Sequence, residues 1–233
     1  MSKPRIGITT SYEDGSQTLS HYYVSAIEQA GGVPLIIPMV QQMATMRLIT
    51  DLLDGLLIPG GPGIVRGLIG ELAEDLPAVD EVRDRADTLA YEAMQDRPVL
   101  GICYGMQFIN AQAGGTIYGD LMKQIDGALA HTPARGGSDH HIRIEPNTRL
   151  HDLFGDEMTV NTYHRQALAS IGDGLAPVAY GPDGVIEAIE SDDGRRIGLQ
   201  FHPERMGEQT APLFRDFVER CRHSRTERVA SQH

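Results

Sequence analysis

The sequence lacks the features that would place it in a membrane or in an oxidising compartment. Its 233 residues contain no apolar run approaching the roughly 18 residues that a membrane-spanning helix needs. Its two cysteines, Cys103 and Cys221, allow one disulfide by arithmetic but fit two free thiols in a reducing compartment better. The N-terminal stretch MSKPRIGITT has no signal-peptide pattern, so we expect a cytoplasmic protein.

The sequence has few basic residues, and its cysteines and histidines are not spaced as in metal sites. The chain has 20 Lys and Arg against 32 Asp and Glu, for a net charge of −12, which argues against nucleic acid or an anionic membrane as a partner. A small anionic substrate stays open, because such a ligand responds to its local site. The sequence has no Cys/His spacing of the zinc type, and we expect no metal.

Strand and helix patterns alternate along the first half of the chain. Four apolar runs, each followed by helical spacing, predict strand–helix units in series and therefore a parallel sheet. The second half has shorter strand patterns joined by turns, which favour antiparallel or mixed strands that extend or flank the parallel core. We predict an α/β fold: a single three-layer, doubly wound domain over residues 1–223, with a mostly parallel central sheet and flanking antiparallel strands. Residues 224–233 indicate a flexible polar tail.

The stretch GICYGMQ places Cys103 at a corner between a predicted strand and a predicted helix. Gly101 and Gly105 flank it, and glycine lets such a turn take a strained backbone that projects the side chain outward. The N-terminal dipole of the following helix favours thiolate over thiol. Two interpretations of Cys103 stay open from this pattern alone, a nucleophile and a small apolar core residue.

The segment QFHPE offers a base for that thiol. His202 directly follows a predicted strand, and Pro203 fixes the backbone so that the Glu204 carboxylate can reach the imidazole. Covalent acyl transfer needs a nucleophile, a base and a group that orients the base. Ligands bind parallel sheets at the carboxyl ends of strands, where Cys103 and His202 both fall.

The glycines of LLIPGGPG end a neighbouring predicted strand. Their backbone amides would suit a developing oxyanion, although a plain turn between strand and helix explains the same glycines. The position of this turn, at the same edge of the sheet as the cysteine, favours the functional interpretation.

Together the three motifs resemble those of the class I glutamine amidotransferase superfamily. GICYGMQ is similar to its nucleophile motif, PGGPG to its oxyanion loop and QFHPE to its His-Pro-Glu motif. The resemblance implies the flavodoxin-like fold of that superfamily, with Cys103 as nucleophile, His202 as base and Glu204 as the partner of His202. It also implies an oxyanion hole made by the backbone amides of Gly61 and Tyr104, and no cofactor.

Nearly the whole chain resembles the stand-alone γ-glutamyl hydrolases, the peptidase C26 group that includes γ-glutamyl-γ-aminobutyrate hydrolase. The likeness is carried by PRIGITTSY, YYVSAIEQAGGVPLIIP, RDRADTLAYEAM, GGTIYGDL, VNTYHRQAL and DGVIEAIE. In that group the segment matching NTYHRQ lines the γ-glutamyl pocket, so the resemblance implies substrate contacts by Tyr163 and His164. Gln107 matches the motif glutamine that helps to hold the glutamyl head group.

Three positions depart from the pattern of those hydrolases. Tyr104 follows the nucleophile where many of them have arginine, Arg165 replaces a second histidine, and Asp87 stands where glutamate is usual. Arg165 has two interpretations, an ordinary surface charge and a clamp for a substrate carboxylate. These departures bear on the identity of the substrate and leave the triad unchanged.

Other residues with chemical potential have simpler interpretations. Cys221, in the last predicted helix, is expected to be a packing or surface residue. His140 and His141 alternate into a strand and are expected to be a solvated pair. His131 and the Gly136-Gly137 loop are expected at the fringe of the site.

We therefore expect a cysteine-dependent hydrolase that cleaves a γ-glutamyl amide, such as γ-glutamyl-aminobutyrate, through a γ-glutamyl thioester on Cys103. One alternative keeps the chemistry and makes the chain a glutaminase subunit that supplies ammonia to a synthase partner. A catalytically silent binding protein is the other alternative. The expected ligand is a small γ-glutamyl compound, and a homo-oligomer stays open.

Overall fold

The structure is a computed structural model that describes residues 3–230. Its helices are α1 (His21–Gln29), α2 (Met43–Thr50), α3 (Glu81–Ala93), α4 (Tyr104–Gln112), α5 (Leu121–Gln124), α6 (Arg149–Phe154) and α7 (Ala211–Ala230). None of these helices is long and apolar enough to cross a membrane. Its strands are β1 (Arg5–Ile8), β2 (Ser11–Glu13), β3 (Ser16–Thr18), β4 (Val33–Ile36), β5 (Gly55–Ile58), β6 (Leu68–Ile69), β7 (Val99–Ile102), β8 (Thr116–Tyr118), β9 (His140–Ile144), β10 (Glu157–Val160), β11 (Ala167–Ser170), β12 (Leu175–Tyr180), β13 (Ile186–Ser191) and β14 (Arg196–Leu199).

The main sheet has nine strands in the order β10-β9-β12-β13-β14-β7-β5-β1-β4. Strand β1 pairs in parallel with β4 and β5. Antiparallel pairs join β13 to β12 and β14, and join β9 to β10 and β12. A smaller sheet has the order β11-β8-β6, and β2 and β3 form a hairpin. The predicted α/β class and central sheet are confirmed, with parallel pairs around β1 and antiparallel pairs in the flanking strands.

Contacts divide the described residues into two compact units. The first takes those in Met1–Pro59, Asp80–Leu100 and Gly207–His233, and the second takes Gly60–Val79 and Gly101–Met206. All three predicted triad residues lie in the second unit. The single domain over residues 1–223 stays a prediction.

Arg83 of α3 organises the polar interior of the first unit. Its guanidinium is fully buried and donates to the Ser11 hydroxyl at 2.8 Å and to the Pro59 carbonyl at 3.1 Å. One turn further along α3, Asp87 accepts from Arg83 Nε at 3.2 Å. Because both partners are buried, loss of either side chain would leave an uncompensated buried charge. This contact gives Asp87, one of the three departures from the hydrolase pattern, a structural role.

Residues 224–230 were predicted to be a flexible tail, but in the structure they are the last turns of helix α7, which continues to Ala230. Asp54, whose side chain is only 1% exposed, pairs with Arg225 at 3.6 Å and with Arg228 at 3.1 Å. A buried carboxylate needs such partners, and these two pairs hold the last turns of α7 in place. Residues 231–233 of the predicted tail lie outside the described residues.

Helix α4 forms the buried centre of the second unit. Every residue from Tyr104 to Ala111 is buried, and the helix packs against β14. Gly198 of β14 permits this close packing, since an added Cβ would lie 3.0 Å from the Met106 Cβ. The amide of Cys103 donates to the Leu199 carbonyl at 2.7 Å. The end of β14 therefore lies beside the corner at Cys103.

Gly55, the first residue of β5, packs against Cys221 of α7. Cys221 is fully buried, and burial raises the pKa of its thiol, which supports the predicted packing role. A Cβ at position 55 would overlap the Cys221 sulfur. We expect Gly55→Ala to lower the free energy of unfolding by about 1–3 kcal/mol, measured by urea denaturation.

Cys221→Ala is the matched partner for this test, because it removes the sulfur that the new methyl group would meet. The Gly55→Ala/Cys221→Ala double variant should recover part of the lost stability. Losses in the double variant that equal the sum of the two single losses would contradict the predicted overlap.

Candidate active site

Cys103 occupies a strained corner between β7 and α4. Its backbone has φ 53° and ψ −103°, a conformation that residues other than glycine rarely adopt and that costs on the order of 1–3 kcal/mol. The tight approach of strand and helix requires glycine, since a Cβ on Gly101 would lie 2.5 Å from the Gly105 carbonyl. The corner expected from GICYGMQ is therefore present, and the N-terminus of α4 begins directly after the sulfur-bearing residue.

His202 is oriented by Glu204 and charged through its neighbours. Its Nδ1 lies 2.7 Å from Glu204 Oε1, and both side chains are buried. Burial opposes the charged imidazole, but hydrogen bonds with Cys103 and Glu204 outweigh it and raise the pKa of His202 to about 10. His202 therefore holds a proton at neutral pH that it can give to a leaving group. The structure brings all three predicted triad residues together.

Asn161 fixes the backbone of His202. Its Nδ2 donates to the His202 carbonyl at 2.8 Å, and its Oδ1 accepts from the His202 amide at 2.8 Å. Asn161 follows β10 directly and was not predicted as a functional residue. Its place in the NTYHRQ segment was the available signal.

A chain of buried glutamines leads to the sulfur of Cys103. Gln200 Nε2 donates to Cys103 Sγ at 3.6 Å, and Gln107 Nε2 donates to Gln200 Oε1 at 3.1 Å. Gln107 also donates to the Gln166 carbonyl at 3.3 Å. Both observed contacts of its amide group are thus with the protein, which makes Gln107 a positioning residue for Gln200. A contact with the glutamyl head group stays a prediction.

Gln166 holds the loop that contains Gly61. Its Oε1 accepts from the Ile64 amide at 2.8 Å, and its Nε2 donates to the Ile64 carbonyl at 3.0 Å. Gly61 is exposed, while Tyr104 is buried at the first position of α4. The oxyanion hole formed by the amides of Gly61 and Tyr104 stays a prediction, and Gln166 is the residue that fixes its loop.

Tyr163 and Arg205 lie at the exposed side of His202. The Tyr163 ring meets the His202 ring edge-on with 5.7 Å between centroids, and it is 41% exposed. The Arg205 guanidinium lies 5.2 Å from the Tyr163 ring centre, and its Nε is 3.5 Å from Glu204 Oε1. A substrate contact by Tyr163 stays a prediction, and Arg205, which was not predicted, lies beside its ring.

His164 points into the protein interior. Its Nδ1 donates to the Gln166 carbonyl at 2.9 Å, and its Nε2 faces Glu187 Oε1 at 3.5 Å. Burial lowers the pKa of His164 and outweighs the opposing effect of Glu187. The structure therefore places His164 in a buried cluster, and its contact with a substrate stays a prediction. His140, predicted to be solvated, has its Nε2 3.3 Å from the same oxygen, while His141 is exposed.

His131 belongs to the same cluster and not to the fringe of the site. Its side chain is buried, with Nε2 2.9 Å from Asp183 Oδ2 and Nδ1 3.3 Å from Glu187 Oε1. Burial disfavours the charged ring, but the two carboxylates outweigh burial and raise the pKa of His131. The group of three histidines around Glu187 was not predicted.

Arg165 is paired within the protein. Its Nε lies 2.6 Å from Asp75 Oδ2. Hydrogen bonds from Arg135 and then from Arg165 lower the pKa of Asp75 to about 2, so the carboxylate is charged at neutral pH. Because Asp75 already neutralises it, Arg165 does not offer the free guanidinium that a clamp for a substrate carboxylate would need.

Comparison with known proteins places these residues among related chains. The family model described as Peptidase C26 matches residues 4–204. Protein NtpR of Enterococcus hirae is 34% identical across 78% of this chain and 79% of that protein. Gamma-glutamyl-gamma-aminobutyrate hydrolase PuuD of Escherichia coli is 28% identical across 96% of this chain and 95% of that protein.

Among solved structures, the chain is similar to a crystal structure from Thermoplasma acidophilum described as a "putative gmp synthase subunit a protein". The TM-score is 0.71 at 17% sequence identity, and the likeness covers 98% of each chain. At this level of identity the likeness shows a common fold, which is the amidotransferase fold that the sequence motifs implied.

The raised pKa of His202 links the site to stability. An ordinary histidine titrates at 6.5 and native His202 at about 10, so between these pH values the native state holds a proton that the unfolded chain has lost. The contribution of His202 to stability is therefore complete below pH 6.5 and is lost as the pH rises to about 10. We expect the difference in free energy of unfolding between the parent and His202→Gln to shrink across this range in urea titrations.

The exposed His141 provides the matched control, His141→Gln. If the parent and His202→Gln differ in stability by a constant amount over the same pH range, His202 does not gain its proton on folding.

Proposed function

Because the chain belongs to the Peptidase C26 family, we propose that it is a cysteine hydrolase of γ-glutamyl amide bonds. Among its relatives are proteins described as "putative glutamine amidotransferase" and others named gamma-glutamyl-gamma-aminobutyrate hydrolase. The observation that carries the proposal is the strained corner at Cys103 with His202 beside it, held 2.7 Å from Glu204. This is the arrangement of nucleophile, base and orienting carboxylate that acyl transfer requires.

In the proposed first step the Cys103 sulfur attacks the γ-carbonyl carbon of the substrate. A carbon–sulfur bond forms, and the carbonyl oxygen takes the negative charge, which the amides of Gly61 and Tyr104 stabilise. The carbon–nitrogen bond then breaks as His202 gives its proton to the departing amine. A γ-glutamyl thioester on Cys103 remains.

The second step returns the enzyme to its starting state. The neutral imidazole of His202 takes a proton from water as the water oxygen attacks the thioester carbonyl. The carbon–sulfur bond breaks, glutamate leaves, and the Cys103 sulfur regains the electron pair of that bond. Glu204 stabilises the charged imidazole, and Asn161 keeps its backbone fixed, so the ring serves both steps from one position.

Two observations favour a γ-glutamyl amine with a carboxylate on the leaving side, such as γ-glutamyl-aminobutyrate. The chain is similar to a hydrolase named for that substrate. The guanidinium of Arg205 lies beside Tyr163 at the exposed side of His202 and is itself partly exposed. Arginine suits recognition of a carboxylate, and it would repel a positively charged polyamine.

The first test uses the two cysteines of the chain as a matched pair. We expect Cys103→Ala to lower kcat/KM for γ-glutamyl-aminobutyrate by about a thousandfold or more, because no other group can form the thioester. Cys221→Ala should keep the parent kcat/KM, since Cys221 is buried among packing residues. Diazo-oxo-norleucine should label Cys103 alone by mass spectrometry. Hydrolysis by Cys103→Ala at the parent rate would refute the mechanism.

The second test addresses the leaving group. We expect Arg205→Gln to raise KM for γ-glutamyl-aminobutyrate by about fivefold, as loss of an exposed ion pair does, with KM for glutamine unchanged. Arg205→Lys keeps the charge and should retain most of the preference. An equal rise in KM for both substrates would remove Arg205 from leaving-group recognition. A parent enzyme that prefers glutamine above all other γ-glutamyl compounds would instead support the ammonia-supplying subunit.

A further inference from the structure

Three histidines of the second unit converge on one carboxylate oxygen. We name His131, His140, His164 and Glu187 the Glu187 cluster. The distances to Glu187 Oε1 are 3.3 Å from His131 Nδ1, 3.3 Å from His140 Nε2 and 3.5 Å from His164 Nε2. The side chains of His131, His164 and Glu187 are at most 1% exposed, and that of His140 is 10% exposed. The cluster is thus a polar centre closed off from solvent.

The far nitrogens of two of these rings are already committed as donors. His131 Nε2 lies 2.9 Å from Asp183 Oδ2, and His164 Nδ1 donates to the Gln166 carbonyl at 2.9 Å. The carboxylates favour a proton on the metal-free His131 ring, and a metal would displace that proton. The near nitrogen of each neutral ring then carries a lone pair that points at Glu187. Histidines that bind metals have this arrangement, with the outer N–H given to a carboxylate or a backbone carbonyl.

Thr162 does not use up the lone pair of His131. Its hydroxyl lies 3.2 Å from His131 Nδ1, but it donates to the His131 carbonyl at 2.9 Å. A hydroxyl has one proton to give, so this bond to the carbonyl leaves the nitrogen lone pair available.

The polar atoms at the centre are not satisfied by the protein. Among the described residues, both oxygens of Glu187 and the Nε2 atoms of His140 and His164 have no hydrogen-bond partner. Buried polar groups without hydrogen-bond partners are rare because they cost free energy. A buried carboxylate that faces nitrogen lone pairs costs more, since it is charged and the lone pairs repel it. A cation at the centre would coordinate Glu187 Oε1 and the Nε2 atoms of His140 and His164 at once.

The spacing of the cluster fits such a cation. With metal–ligand distances of about 2.0–2.2 Å, neighbouring ligand atoms of a tetrahedral zinc site lie about 3.3–3.6 Å apart. The three nitrogen-to-oxygen distances of the cluster fall in this interval. The ligand atoms of His131, His164 and Glu187 all lie within 4.8 Å of one another.

We propose that the Glu187 cluster binds one divalent transition-metal ion of the zinc type, with His131, His164 and Glu187 as core ligands and His140 as the fourth. Imidazole and carboxylate ligands suit such a metal, and four protein ligands leave no open position for a substrate. The site is therefore structural. It joins β9 and β13 to the segment that contains Tyr163 and Gln166. The metal would therefore hold in place a segment that contacts the candidate active site.

The direct test is the metal content of the full chain. Protein purified without chelators and dialysed against metal-free buffer should contain about one zinc-type ion per chain, measured by inductively coupled plasma mass spectrometry. Removing the metal with a chelator should lower Tm, and Zn²⁺ but not Mg²⁺ should restore it. Replacement by Co²⁺ should give the visible absorption of tetrahedral cobalt. None of these readouts depends on hydrolase activity, so their results test the metal site independently of the proposed function.

Glu187→Gln tests the assignment of the site, with His141→Gln as the matched surface control. We expect Glu187→Gln to weaken metal binding at least about tenfold and His141→Gln to leave it unchanged. Equal metal binding by the parent and Glu187→Gln would place the ion elsewhere and overturn the proposal. A parent that holds no metal, and whose Tm does not respond to Zn²⁺ or Co²⁺, would overturn it even if Glu187→Gln fails to fold. The cluster would then be histidines protonated around a buried carboxylate.

Discussion

The close approach of Gly101 and Gly105 is the constraint on which the candidate active site depends. Only without a side chain at Gly101 can β7 come this close to the Gly105 backbone and pass into α4 within one residue, and Cys103 at that passage has a positive φ. The hydrogen bond from the Cys103 amide to Leu199 then fixes the corner against β14. Since His202 follows β14 closely in the chain, the hydrogen bond that fixes the proposed nucleophile also fixes the strand end that leads to the proposed base.

Neutral amide side chains carry out most of the positioning around this corner. Asn161 holds the backbone of His202, Gln166 holds the loop of Gly61, and Gln200 meets the sulfur of Cys103. An amide offers both a donor and an acceptor and brings no net charge. The proton shared among Cys103, His202 and Glu204 is therefore held in place without a further charge that would shift their protonation.

Local motifs made the triad predictable, and long-range contacts account for what was missed. Cys103, His202 and Glu204 stand in short motifs at strand ends, so neighbouring residues encode their geometry. Asn161 acts on a residue 41 positions away, Gln166 on one 102 away, and Arg165 meets Asp75 across 90 positions. The helix over residues 224–230 was missed for the same reason, since it is held by a long-range contact between Arg228 and Asp54, 174 positions earlier. Tyr163 and His164 are adjacent in sequence, but Tyr163 faces the surface and His164 faces the interior. The motif alone does not show which of the two side chains is exposed.

The paired contacts of Asn161 with the amide and carbonyl of His202 have a chemical consequence for the lifetime of the protein. The Asn161 side chain takes the place of a neighbouring strand, because it presents one donor and one acceptor as a peptide group does. Spontaneous deamidation to aspartate would keep the shape but turn that donor into a charged acceptor facing a carbonyl oxygen. A chain aged in this way would lose the anchor of the His202 backbone while Cys103, His202 and Glu204 all remained chemically intact.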